Sequence, residues 1–148
     1  MRIYLDVCCL SRPLDDQSVD RVRLESGAVL TVLELCAKGE HRWVSSMAVE
    51  QEVCRNPDEY KRSVVAGLLQ FADEKLDMDD LAVSAARRFV SAGIAAMDAA
   101  HLAIAEAGGC DVFLSTDDAL LRRARLLNPP LRLRVANPAN WIVEVTEA

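Results

Sequence analysis

Four separate stretches of the chain carry acids whose types and spacing could do chemistry together. Asp6 closes the apolar run RIYLD. Asp98 interrupts the alanine-rich run GIAAMDAAHLAIAEA. Asp117 and Asp118 follow the apolar run CDVFL, and Glu50 and Glu52 lie in SSMAVEQE. A carboxylate on an apolar helix face is costly to bury unless something pairs it. Acids at the carboxyl ends of α/β strands lie where such sheets open their crevice. The pattern therefore predicts one acidic pocket assembled from distant segments. Glu50 and Glu52 stand about 200° apart around a helix, so only one of them can face it. Carboxylates gathered this way repel one another and become stable around a hard divalent cation, Mg²⁺ or Mn²⁺. Carboxylate-held Mg²⁺ is an apparatus for hydrolysing phosphodiesters. No serine, cysteine or histidine triad, P-loop or G-x-G-x-x-G competes with that reading.

The elements that must position these acids can be read from periodicity and punctuation. Residues 2–6 predict a first strand. Ser11–Gln17 reads as a loop, with Asp16 or Ser18 capping a helix over Val19–Ala37 that stops at Lys38-Gly39. The acids of that helix, Asp20, Glu25 and Glu34, are expected in solvent. His41–Ser45 holds a brief strand, and Ser46 caps a helix that must end before Pro57. Two helices follow, over Asp58–Ala72 with Val64, Val65, Leu68, Leu69 and Phe71 inward, and over Asp79–Ala92. Lys75–Met78 is a link or a scrap of strand. The alanines from Ala95 to Ala107 predict a helix thin enough to lie close to a sheet, stopped by Gly108-Gly109. Asp98 and His101 share a face of it. Asp111–Leu114 is a strand, and Ser115–Asp118 has S-x-x-D capping-box spacing before a helix reaching about Leu127. LRLRV reads as an alternating edge strand, and NPANWIVEV as one more extended segment. Short apolar strands alternating with helices predict an α/β fold, with a central, mainly parallel sheet of four or five short strands.

Composition narrows the function classes. The 148 residues suffice for a single domain with a real core. No run approaches the ~20 apolar residues that span a bilayer, so membrane partners are excluded and a cytoplasmic location is expected. The five cysteines, Cys8, Cys9, Cys36, Cys54 and Cys110, are odd in number and show no C-x-x-C spacing, as expected of reduced thiols. A net charge of −6 argues against gripping nucleic acid by bulk charge. Between Ala119 and Asn140, however, there is no acid, while Arg122, Arg123, Arg125, Arg132 and Arg134 make a local basic surface.

At this point the sequence resembles the PIN-domain nucleases over nearly its whole length. The resemblance rests on IYLD, SSMAVEQE, GIAAMDAAHLAIA and VFLSTDDALLRRA. It implies a single PIN-like nuclease domain over residues 1–148, with catalytic Asp6, Glu52, Asp98 and Asp117 and a metal held by Asp6, Asp98, Asp117 and Asp118. Ser115 and Glu50 would be auxiliary. The small polar residue common two places after the first aspartate is Cys8 here. Many such proteins are the ribonuclease toxins of type II toxin–antitoxin pairs. The resemblance thus implies an RNA substrate, single-stranded or in loops, a cognate antitoxin and a homodimer. Arg122, Arg123 and Arg125 would hold the RNA backbone.

Other readings fit less well. A phosphorylated receiver domain wants a late lysine, and Lys38, Lys61 and Lys75 all fall in or before the middle of the chain. A haloacid-type phosphatase wants an acid where Cys8 stands. A non-catalytic PIN-fold module that only binds a partner is the alternative, and such a module gives no reason to keep so many acids. His101 is expected to be a structural hydrogen-bonding residue and His41 to lie on the surface.

Overall fold

Strand β1 (Arg2–Leu5) runs down the middle of the sheet, and the side chains of its last three residues are apolar enough to be covered on both faces. Ile3, Tyr4 and Leu5 are each at most 1% exposed. The computed structural model describes residues 1–147. After β1 come α1 (Val7–Ser11), a turn of 3₁₀ helix, α2 (Asp20–Ala37), β2 (Arg42–Ser46), α3 (Met47–Cys54) and α4 (Glu59–Leu69). The chain continues through β3 (Glu74–Leu76), α5 (Asp80–Ser91), α6 (Ala96–Ala107), β4 (Val112–Leu114), α7 (Asp118–Arg125), β5 (Arg134–Ala136) and α8 (Pro138–Glu147).

The five strands form one sheet in the order β3-β2-β1-β4-β5, and every pairing is parallel. Parallel sheets need cover on both faces, and β1 and β4 read accordingly as continuous buried runs. The chain first builds outward from β1 to β3 and then returns to add β4 and β5 on the other side. The order therefore reverses between β1 and β4. The register Leu5↔Leu114 brings the ends of these two strands level, so Asp6 and Ser115 emerge side by side where such sheets open a crevice.

Several local expectations are corrected. Residues 7–14 are helical rather than a loop from Ser11 onwards, because Asp6 Oδ1 accepts from Val7 N and starts a turn at once. Asp16 bonds Ser18 locally, and the N-cap position before α2 is Val19, whose side chain makes no capping hydrogen bond. The scrap at 75–78 resolves into the edge strand β3. Phe71 lies beyond the end of α4 and is 77% exposed, and Val64 is 40% exposed, so neither points inward.

The C-terminal segment is a helix, not an extended strand. Asn137 Oδ1 accepts from Ala139 N at 2.8 Å, and Pro138 supplies the fixed φ suited to a first helical position. The helix then buries Trp141 (1% exposed) and packs along α2. His41 lies at the surface, half-buried. Its Nδ1 lies 3.1 Å from the N-terminal amine, and its ring meets the edge of Trp141 at 5.7 Å. Gly109 ends α6 with φ +70°, a left-handed turn that other residues adopt only with strain.

Among the described residues, no helix is long and apolar enough to cross a membrane.

Candidate metal centre

Asp6 is the innermost of the acids, 4% exposed at the end of β1. Its Oδ1 caps α1 through Val7 N at 2.8 Å. Its Oδ2 accepts a hydrogen bond from Ser115 Oγ at 2.8 Å and a weaker one from Cys8 Sγ at 3.4 Å. Ser115 Oγ in turn accepts from Asp117 N at 3.1 Å. One hydroxyl therefore ties the acid after β1 to the acid after β4. The small polar position of the family pattern, occupied here by Cys8, still faces the first aspartate.

Asp117 caps α7, its Oδ1 accepting from Leu120 N at 3.1 Å. The cap is thus Asp117 itself, not Ser115 as the S-x-x-D spacing suggested. Asp117 is exposed, and its other oxygen makes no hydrogen bond to the described residues.

Asp98 lies in the first turn of α6 and is half-buried. Burial first, and then the charges of Asp6, Asp117 and Glu52, push its carboxyl up to about 6, against a smaller opposing pull from His101. Asp98 therefore feels the charges of acids that follow β1, lie in α3 and cap α7. Asp6 is also raised, by its complete burial and by Glu52, although His101, Ser115 and Cys8 pull the other way.

Glu52 and Glu50 separate as helical geometry requires. Glu52 Oε1 lies 2.9 Å from His101 Nε2, inside the site. Glu50 pairs with Lys75 at 2.7 Å on the outer face of α3. His101 is fully buried and bridges Glu52 to Tyr4, whose hydroxyl lies 2.7 Å from Nδ1 and 2.5 Å from Ser46 Oγ. Ser46 Oγ already accepts from Val49 N as the α3 cap. Its proton is therefore available to Tyr4, that of Tyr4 to His101 Nδ1, and the Nε2 proton to Glu52. Each donor in the chain Ser46–Tyr4–His101–Glu52 is satisfied in that direction. Burial lowers the His101 pKa, but the bond to Glu52 and the charges of Asp6, Glu52 and Asp98 outweigh it and the net direction is upward.

Ligand atoms of Asp6, Glu52 and His101 lie within 4.8 Å of one another, close enough to share an ion. Both ring nitrogens of His101 are engaged by Tyr4 and Glu52, which leaves the carboxylates as the donors with free lone pairs. The carboxylates of Asp6 and Glu52 suit a hard divalent cation, and among the described residues Asp98 and Asp117 fall outside this 4.8 Å group.

The other residues singled out from sequence lie at the margin. Both oxygens of Asp118 are taken by Arg21, at 2.7 and 2.8 Å. Arg122 and Arg123 project from α7 into solvent, and Arg125 donates to Val135 O at 3.1 Å. Sequence reasoning missed Tyr4, Arg21 and Glu25. Glu25, expected in solvent, is 2% exposed and held by Arg12, Arg21 and Asn137. The signal was present: Glu25 lies three residues after Val22 and four before Val29, on the apolar stripe of α2.

Two of the solved structures that share this fold bear comparison. The crystal structure of FitAcB from Neisseria gonorrhoeae aligns with 92% of this chain and 97% of that one, at 18% identity and a TM-score of 0.59. That of VapBC2 from Rickettsia felis, bound to a DNA fragment from their promoter, aligns with 93% and 98%, at 14% identity and a TM-score of 0.61. No curated protein matches the chain. The family model for the PIN domain matches residues 3–126, a span that runs from β1 to just past α7 and holds every acid of the site. The chain belongs to the PIN domain family.

Proposed function

We propose that the protein is a Mg²⁺- or Mn²⁺-dependent endoribonuclease that hydrolyses phosphodiester bonds in single-stranded or loop RNA. The observation that carries this reading is the meeting of Asp6 and Glu52 within 4.8 Å at the β1/β4 switch point, with Asp98 close enough that burial and the charges of Asp6, Asp117 and Glu52 raise its carboxyl. A fold held by packing alone has no use for that repulsion, whereas a cation relieves it. Asp6, Asp98 and Asp117 are the proposed ligands, with Glu52 the fourth catalytic acid. When bound, the divalent cation supplies Lewis acidity for the phosphate and lowers the pKa of water.

The protein's own groups do the rest. Ser115 and Cys8 hold Asp6 through Oδ2, and Val7 N holds it through Oδ1. His101, fixed by Tyr4, holds Glu52 where it can accept a proton from a nucleophile. Arg122, Arg123 and Arg125, on the helix that Asp117 caps, hold backbone phosphates next to the reacting one. Glu50, paired with Lys75, stays outside the chemistry.

The family resemblance supports a role as the toxin of a type II pair, acting in the cytoplasm as a homodimer and restrained by a cognate antitoxin. The alternative, a non-catalytic PIN-fold module, is separated by one assay. Single-stranded RNA is incubated with the purified protein and Mn²⁺, with EDTA and Asp98→Asn as controls. Cleavage that needs both Mn²⁺ and Asp98 supports the nuclease. Equal cleavage by Asp98→Asn rejects the assignment of residues, and no cleavage by the wild type favours the binding module.

A further inference from the structure

Arg21 lies on α2, away from the acidic pocket in sequence, yet its side chain reaches the turn that carries Asp117. Nη1 donates to Asp118 Oδ2 at 2.7 Å, and Nη2 donates to Asp118 Oδ1 at 2.8 Å and to Thr116 O at 3.1 Å. These bonds hold the residues immediately before and after Asp117. A guanidinium suits this task because its donors form a rigid planar fork.

The fork is itself aimed from below. Arg21 Nε donates to Glu25 Oε2 at 3.2 Å. Glu25 is 2% exposed, and its remaining capacity is filled by Arg12 Nε and Nη2 at 3.0 and 2.8 Å and by Asn137 Nδ2 at 2.5 Å. A buried carboxylate bonded on every side has one stable position, and it transmits that position to Arg21. Arg23, two residues further along the same helix, meets the exposed Asp20 and the Gln17 carbonyl instead.

We propose that Arg21 is a positioning residue for the metal centre: seated on Glu25, it clamps Thr116 and Asp118 and so sets the direction of the Asp117 carboxylate. The inference rests on the reading of Asp117 as a metal ligand and deepens it. It makes Asp118 a tether rather than a ligand, and the two roles have opposite consequences. If Asp118 were a ligand held back by Arg21, removing Arg21 would free a carboxylate and tighten metal binding. If Asp118 is a tether, removing Arg21 loosens Asp117 and weakens binding.

The test is calorimetric titration of Mn²⁺ into the full chain as wild type, Arg21→Ala, Asp118→Asn, the double variant and Arg23→Ala. The expected result is a Kd raised about tenfold in each single site variant, as for other groups that orient metal ligands. The double variant should bind no more weakly than either single one, since both break the same clamp, and Arg23→Ala should bind as wild type. Arg21→Ala binding Mn²⁺ as tightly as wild type, or more tightly, overturns the clamp while leaving the metal site standing. A wild type that binds no Mn²⁺ removes the metal site itself. Circular dichroism melting in EDTA checks folding. Should Arg21→Ala not fold, Arg21→Lys, which keeps a charge beside Glu25 but loses the planar fork, takes its place, and an affinity equal to or tighter than wild type there overturns the proposal.

Discussion

Ser115 donates a hydrogen bond to Asp6 Oδ2 at 2.8 Å, across 109 positions of the chain. That bond joins the ends of β1 and β4, the two strands between which the sheet reverses its order. The same hydroxyl accepts from Asp117 N. Removing it in Ser115→Ala should leave Asp6 more strongly raised in pKa, because its principal neutral donor is gone. A loss of about tenfold in Mn²⁺ affinity is expected, with about 1 kcal/mol of stability. Titration calorimetry and urea denaturation measure the two separately. Unchanged affinity would show that Asp6 is held by α1 alone.

The pH dependence follows from Asp98. Its folded carboxyl titrates at about 6 against an ordinary value of 3.8. The folded state therefore binds this proton more tightly than the unfolded state. The stability it contributes is fully present below about 3.8 and is lost as pH rises through 6. Asp98→Asn removes the titration. Without metal, Asp98→Asn should melt at a higher temperature than the wild type at pH 7, and the gap should close towards pH 4. Mn²⁺ should raise the wild-type melting temperature at pH 7 and leave the variant little changed. Parallel melting curves for the two proteins across this range would contradict the crowding of acids.

Tyr4 is buried to the hydroxyl, which joins Ser46 to His101. Tyr4→Phe keeps the ring packed on Phe113 but leaves His101 Nδ1 and the Ser46 hydroxyl without that partner. An unsatisfied buried polar group costs roughly 1–3 kcal/mol. Denaturant unfolding should show a loss in that range. Nuclease activity should fall with it at saturating RNA, since His101 then no longer fixes Glu52. A variant as stable as wild type would mean that water replaces the hydroxyl.

Trp141 tests whether the segment beyond the family match belongs to the core. It is 1% exposed on α8, which packs on α2. Trp141→Ala should cost about 3–5 kcal/mol, the usual range for deleting a large buried aromatic. Guanidinium unfolding measures this, and a loss below about 1 kcal/mol would show that α8 detaches without consequence.

The sequence made the acids and the strands legible because both are local signals. Asp6, Asp98 and Asp117 end or interrupt apolar runs, and a period of two or 3.6 then shows which element each one leaves. Partners distant in sequence were not legible. Arg21 and Asp118 lie 97 positions apart, and Glu25 and Asn137 lie 112 apart. No periodicity joins them: the apolar stripe of α2 could mark Glu25 as buried but not name the groups that pair it, and Asp118 looked like a free acid. The C-terminal error has a different cause. Trp141, Ile142 and Val143 favour strands by side-chain shape, but the Asn137 cap and Pro138 start a helix before that preference acts.

The central claim is that carboxylates from β1, α6 and α7 share one cation. A crystal of the full chain grown with Mn²⁺ and measured at a wavelength where manganese scatters anomalously tests it most directly. The account predicts a peak in the anomalous difference map bounded by Asp6, Asp98 and Asp117, lost in Asp98→Asn. A manganese peak elsewhere with that pocket empty, or the three carboxylates turned to separate surfaces, would contradict it.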